Sequence, residues 1–183
     1  MRIVAGLHRG RNIESPKDLE VRPTSDRLRE SLFSVLAHRE DAPLEDAIVL
    51  DAFCGTGALG LEALSRGAAR AVFMDCSGDS LALAKRNIAA LKEDARSIAI
   101  RTDAARHPPR AKIACTLVFL DPPYGKGLAA KALAALAEAG WFVPRALCVV
   151  EMDPVRPEVF PEGFVVEDTR RWGQSEVAFL RAP

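Results

Sequence analysis

Ile48-Val49-Leu50-Asp51-Ala52-Phe53-Cys54-Gly55-Thr56-Gly57-Ala58-Leu59-Gly60 is the stretch on which the fold turns. A short apolar run, read as a buried strand, passes into glycines at 55, 57 and 60 and then into a short helix, Ala58 to Arg66, stopped by Gly67. Strand, glycine loop and helix in that order let the backbone turn sharply and aim the free N–H groups of a helix start at a ligand. Gly55-x-Gly57-x-x-Gly60 fits the dinucleotide fingerprint, and Asp75 lies about 20 residues on, where a ribose-binding acid belongs. Glycines serving only as a tight turn would give the same spacing, so the loop alone does not decide the ligand.

On the carboxyl side the pattern repeats. Ala71-Val72-Phe73-Met74, Ile98-Ala99-Ile100, Leu117-Val118-Phe119-Leu120 and Leu147-Cys148-Val149-Val150 read as strands. Leu81 to Leu91, with Leu81, Ala84, Ile88 and Leu91 on one face, and Ala129 to Glu138 read as helices between them. Continuous apolar strands separated by helices predict a parallel sheet covered on both faces. Phe164-Val165-Val166 and Val177-Ala178-Phe179-Leu180 are joined by a polar turn holding Trp172-Gly173-Gln174, with no helix, so they must pair antiparallel. The fold class predicted is α/β, Rossmann-like: a mostly parallel sheet ending in an antiparallel hairpin.

Residues 1–40 read as an extension of a domain spanning 41–183. Arg2 to Ile13 suits a small hairpin around Gly6 and Gly10. Pro23-Thr24-Ser25 opens a helix, capped by Thr24 or Ser25, with Leu28, Leu32, Val35 and Leu36 as its buried stripe. The chain has 183 residues, 25 Lys+Arg against 25 Asp+Glu, and a pI near 6.8, so a strongly basic nucleic-acid coat protein is excluded but a local basic face is not. Arg2, Arg9, Arg11, Arg22, Arg27 and Arg29 are candidates for that face, with Arg9, Arg11, Arg22 and Arg27 the expected RNA contacts. A solvated surface with salt bridges to Glu30 and Asp26 is the plainer reading of the same residues. Cys54, Cys76, Cys115 and Cys148 are scattered without a C-x-x-C pair, and His8, His38 and His107 lack ligand spacing, so no metal is expected. With no apolar run of about 20 residues and no signal-peptide pattern, a cytoplasmic protein away from membranes is expected.

Asp51 shifts the reading of the glycine loop. A carboxylate at the end of the strand would repel a pyrophosphate but attract an ammonium group. S-adenosylmethionine carries an ammonium, a sulfonium and an adenosine, and no phosphate. Asp51 suits the ammonium, Asp75 the ribose hydroxyls, and Asp103, after the third strand, the adenine amino group, unless Asp103 only caps its loop. The remaining cofactor-binding candidates are Phe53, Gly55, Gly57 and Gly60.

Asp121-Pro122-Pro123-Tyr124 ends the fourth strand at the sheet edge where open α/β folds bind ligands. An exocyclic amine is a poor nucleophile because its lone pair is delocalised into the ring. Hydrogen bonds from that amine to the Asp121 carboxylate and the Pro122 carbonyl would orient it toward a methyl sulfonium, and Tyr124 can stack on an extruded base. These four residues are the expected catalytic set, with S-adenosylhomocysteine as by-product.

Asp51-x-Phe53-x-Gly55-x-Gly57-x-x-Gly60 together with Asp121-Pro122-Pro123-Tyr124 resembles the class I amino-methyltransferases. Met1-Arg2-Ile3-Val4-Ala5-Gly6, Arg22-Pro23-Thr24-Ser25-Asp26-Arg27-Leu28-Arg29-Glu30-Ser31-Leu32-Phe33 and the run from Gly57 to Gly67 resemble the bacterial RsmD family over nearly the whole chain. That resemblance implies a seven-stranded sheet, bound S-adenosylmethionine, and methylation of a guanine N2 in 16S ribosomal RNA presented within a small-subunit particle; a monomer is expected, though the sequence does not give the oligomeric state. A DNA adenine-N6 methyltransferase is the alternative within the same chemistry, and a nicotinamide-dependent dehydrogenase the alternative outside it.

Overall fold

The computed structural model describes residues 1–15, 23–39, 41, 44–123, 127–153, 155 and 158–183. Helix α1 (Pro23–Ala37) precedes β1 (Ile48–Ala52), α2 (Ala58–Ser65), β2 (Arg70–Asp75), α3 (Gly78–Leu91), β3 (Ser97–Arg101), β4 (Cys115–Leu120), α4 (Leu128–Glu138), β5 (Phe142–Met152), β6 (Val165–Trp172) and β7 (Ser175–Arg181). The seven strands form one sheet in the order β3-β2-β1-β4-β5-β7-β6. The first five are parallel, and β7 lies antiparallel between β5 and β6. Chain direction across the sheet reverses between β1 and β4, so a crevice must open at their carboxyl ends.

Strand alternation sorts the core into two layers. Val49, Phe73, Leu117, Phe119, Leu147, Val149 and Phe179 face α1, α2 and α3. Leu50, Val72, Met74, Val118, Leu120, Cys148 and Val150 face α4, whose Ala129, Ala132, Leu133 and Leu136 are buried. Parallel strands covered on both sides explain why their sequences read as unbroken apolar runs. No helix among the described residues is long and apolar enough to cross a membrane.

The amino-terminal residues form the expected turn, with Arg2 bridging Asn12, Ile3 N–H donating to Arg11 O and Gly10 N–H to Ile3 O. They share the core of the sheet, because Ile3, Ile13, Leu32, Phe33 and Leu36 are buried with Leu61 and Phe73. Phe33, outside the stripe read from the sequence, meets Phe119 of β4 with ring centroids 5.6 Å apart and so seats α1 over the sheet. A fully buried carboxylate, Glu62, fastens the segment by accepting from Val4 N–H at 2.8 Å and Ala5 N–H at 3.0 Å. Helix α1 starts at Pro23, the first-turn position that suits proline, so Thr24 and Ser25 fall within the helix and not ahead of it.

Arg29 does not belong to a phosphate-binding face. Its side chain is 3 % exposed, with Nη2 donating to Asp26 Oδ1 at 2.8 Å and to Arg2 O at 2.5 Å, and Nε lies 3.6 Å from Glu62 Oε2. An arginine one helical turn from Asp26 and stacked over Glu62 loses less by burial than it would alone, because two carboxylates neutralise it.

Candidate active site

A cleft of about 970 Å³ lies at the carboxyl ends of β1, β2, β4 and β5, room for a nucleoside-sized cofactor together with a base. Asp51, Phe53, Gly55, Asp75, Asp103, Asp121, Pro122 and Pro123 all line it, so most of the residues singled out in the sequence converge there. Gly57 and Gly60 do not. A Cβ at Gly60 would stand 2.4 Å from Phe73 Cε1, and one at Gly57 3.3 Å from the same atom, so both glycines serve the close seating of α2 on β2 behind the loop. Tyr124 and Arg22 lie outside the described residues.

The loop from Ala52 to Gly57 holds three left-handed residues, Phe53 (φ 69°), Gly55 (φ 53°) and Gly57 (φ 79°). For the two glycines this conformation is unstrained, but for Phe53 it costs about 1 kcal/mol or more, strain of the kind found at ligand-binding turns. The seating of α2 aims Gly60 N–H at Asp51, whose Oδ2 accepts it at 2.9 Å. Asp51 is 2 % exposed, and burial, outweighing that hydrogen bond, pushes its carboxyl up to about 7, with the nearby Asp75 raising it further. Adding a methyl at Gly60 forces α2 off the Phe73 ring. Gly60→Ala is expected to destabilise the protein by about 1–3 kcal/mol and to weaken cofactor binding with it, readable by denaturant unfolding and calorimetry.

Asp75 is held by the loop it faces: Gly55 N–H donates to Oδ2 at 3.0 Å and Ser77 N–H to Oδ1 at 2.8 Å. Each oxygen keeps a lone pair for a further donor, the pattern needed to grip two vicinal hydroxyls. Asp103 accepts from Ala105 N–H at 2.9 Å, the loop-capping role, while still lining the cleft. Cys54 lies within the loop as a thiol, its pKa raised by burial and then by Asp51 and Asp75, and so is no nucleophile.

The far wall carries a residue that the sequence reading missed. Register pairs Phe119 with Val149 and Leu120 with Val150, so the next residues, Asp121 and Glu151, stand side by side where β4 and β5 end. Both belong to the strand face shared by Asp51, which pairs with Phe119. Asp121 is open to the cleft yet surrounded by protein on its other sides. Its carboxyl is held above the ordinary range, first by desolvation, then by the charges of Glu151 and Asp51 and a side-chain hydrogen bond with Glu151. An acid directly after the Leu147–Val150 run was the available signal, but its meaning depends on knowing the register of β4 against β5.

Among the described residues the lining therefore contains five carboxylates, Asp51, Asp75, Asp103, Asp121 and Glu151, against two arginines, Arg29 and Arg106. Arg29 is already neutralised, and Arg106 lies 3.5 Å from Asp103 Oδ2. The field in the cleft favours a cationic ligand and opposes a phosphate-rich one. Among the described residues no three His, Cys, Asp or Glu side chains converge as metal ligands.

Arg9, Arg11 and Arg27 are exposed and outside the cleft. Arg11 Nη2 donates to Ala90 O at 2.6 Å, in the last turn of α3, whereas Ser80 of its first turn lines the cleft. Ten helical residues separate the two, about 15 Å. The hairpin arginines are thus at the opposite end of α3 from Asp121.

A sheet with this strand order, a glycine loop after β1 and an Asp-Pro-Pro terminus on β4 defines the Rossmann-like class I methyltransferase fold. The family model described as Conserved hypothetical protein 95 matches residues 1–181, and the chain belongs to that family, the RsmD family. It is 35% identical over 169 residues to the Haemophilus influenzae protein named Ribosomal RNA small subunit methyltransferase D, covering 91% of this chain and 86% of that one. It is 37% identical over 153 residues to the Escherichia coli protein of the same name, covering 84% of this chain and 75% of the relative. The solved structure of Escherichia coli yhhF superposes with a TM-score of 0.83 at 30% identity, covering 100% of this chain and 97% of the other.

Proposed function

We propose that this protein transfers a methyl group from S-adenosylmethionine to the exocyclic N2 of one guanine in 16S ribosomal RNA, presented within a small-subunit particle. The observation that carries the reading is the pairing of an acid-rich cleft with Asp121-Pro122 on its wall, where an amine is gripped by acceptors alone. The relatives' names supply the RNA. S-adenosylmethionine, when bound, supplies an electrophilic methyl on a sulfonium.

The chain's own residues do the rest. Asp51 takes the ammonium and Asp75 the ribose hydroxyls, with Asp103 at the adenine. Asp121 and the Pro122 carbonyl accept the two N–H bonds of N2, turning its lone pair toward the methyl carbon. Orientation of this kind is worth several kcal/mol of barrier. As the new N–C bond forms and the C–S bond breaks, the nitrogen becomes acidic and sheds one proton. Asp121 lies within reach of it, and a carboxylate of raised basicity accepts it better than an ordinary one. Tyr124, next in sequence, would stack on the base.

Arg9, Arg11, Arg22 and Arg27 would hold flanking RNA. A folded RNA spans far more than one nucleotide, so contacts a helix length from the cleft act on capture and not on the chemical step. Replacing Arg9 and Arg11 together with Ala is expected to raise the KM for subunit particles about tenfold at low salt. The kcat and the heat of cofactor binding stay as they were, and an unchanged KM would remove the two arginines from the interface.

The function itself is tested by mass spectrometry of ribosomal RNA from cells lacking the protein. Loss of one methyl from a single guanine is expected, and an unaltered set of modifications would overturn the reading.

A further inference from the structure

The shared position of Asp121 and Glu151 has a use that methyl transfer to an amine does not require. One acceptor pair, Asp121 and the Pro122 carbonyl, already accounts for both hydrogens of an exocyclic amine. Glu151 adds a second carboxyl directly beside the first, on the same strand face and in the wall of the same cleft. Strands in a sheet run about 4.8 Å apart, close to twice the spacing of neighbouring donors on the edge of a base. Two side chains that lean toward one another from such positions can span that edge.

Bases differ at this edge. Guanine presents two donors side by side, N1–H and the N2 amine. Adenine presents an amine beside the N1 lone pair, an acceptor. A second carboxylate next to the amine grip therefore attracts guanine and repels adenine, which exposes a lone pair to it. In the ligand-free protein a side-chain hydrogen bond links the two carboxyls. That bond needs a shared proton; once the proton is lost to solvent both carboxylates accept and match guanine's two donors, whereas adenine's N1 lone pair then faces a charge.

We infer that Glu151 accepts the N1–H of the target base and selects guanine over bases whose ring nitrogen lacks a proton. This rests on the guanine-N2 reading above and adds to it a residue that sets base choice. The neighbouring groups suit the role. Val177 of β7, paired with Glu151, is buried and apolar, and Asp51 is engaged by Gly60 N–H one residue pair deeper.

The test compares subunit RNA carrying guanine at the target position with RNA carrying 2-aminopurine there, which keeps the N2 amine but has a bare N1. Wild type is expected to favour guanine at least about tenfold in kcat/KM, since a site built around a donor rejects the analogue that lacks it. Glu151→Gln, whose amide can donate to a bare N1, is expected to narrow that preference about tenfold. A purely structural or proton-accepting role would lower both substrates together and leave the ratio unchanged, which overturns the inference. Binding of S-adenosylhomocysteine, measured by calorimetry, reports whether the variant is folded. If it is not, Glu151→Asp serves, and withdrawing the acid by one methylene is expected to reduce the guanine preference. Wild-type protein that methylates guanine N2 with an unchanged ratio in the variants overturns this inference alone. Wild type that methylates adenine overturns it together with the function on which it rests.

Discussion

Asp121→Ala is expected to lower kcat for methyl transfer about 10²–10³-fold while leaving S-adenosylhomocysteine binding intact. The size follows from what the carboxylate does. It accepts a hydrogen bond from an amine on which positive charge grows as the methyl arrives, so its worth is largest in the transition state, and its loss appears in kcat before KM. Asp121→Asn is a stricter version. It keeps the shape of the side chain but can turn a donor toward an amine that is itself a donor, and so it should rescue nothing. Single-turnover transfer of labelled methyl to subunit particles measures the step without product release. A variant that retained near wild-type kcat would remove Asp121 from the chemistry. One that lost cofactor binding as well would make Asp121 part of the cofactor site instead.

The second large effect belongs to Asp51, where stability and binding pull in opposite directions. Burial holds its carboxyl at about 7, against 3.8 for an exposed one. The folded protein therefore binds a proton that the unfolded chain has lost, and stability contributed by this group falls as pH rises from 3.8 to about 7. Asp51→Asn keeps an acceptor for Gly60 N–H and removes the buried charge. It is expected to raise the unfolding midpoint above pH 7 and to flatten this pH dependence. The same change is expected to weaken cofactor binding about 30–150-fold, as for loss of one partner of a buried charge pair. Wild-type affinity for the cofactor should fall as pH drops below about 7, where the protein must first give up the Asp51 proton. The variant should show no such fall. Calorimetric titrations at pH 5.5 and 7.5 decide it, and equal losses of affinity in both proteins would place the titrating group elsewhere.

Parts of the molecule were legible in the sequence for reasons that can be named. Strands β1, β2 and β4 are central and covered on both faces, so unbroken apolar runs marked them. Strand β5 was read only over Leu147–Val150 but runs Phe142–Met152. Pro144 and Arg145, the latter at φ 60°, break its pattern, and the irregular register between Cys115 and Leu117 absorbs them. Strand β6 was read as Phe164–Val166 but extends to Trp172. It is an edge strand with largely exposed side chains, and Glu167-Asp168-Thr169-Arg170-Arg171 carries no apolar alternation to detect.

The site divides the same way. Asp51, Asp75 and Asp121 each follow an apolar run at or near the carboxyl end of a strand, within a recognisable local pattern, so one segment at a time revealed them. Glu151 and Glu62 have no such pattern. Their meaning comes from a neighbour distant in the chain: Asp121 for the first, the amino-terminal backbone for the second. Buried Arg29 misled for the same reason, since only the fold sets Glu62 beneath it.

Transfer to guanine N2 is read by incubating the purified protein with methyl-labelled S-adenosylmethionine and small-subunit particles from cells that lack it, then digesting the RNA to nucleosides for mass spectrometry. The label is predicted in N2-methylguanosine, one per particle. Label in N6-methyladenosine, or none in RNA under conditions where the cofactor binds, would contradict it.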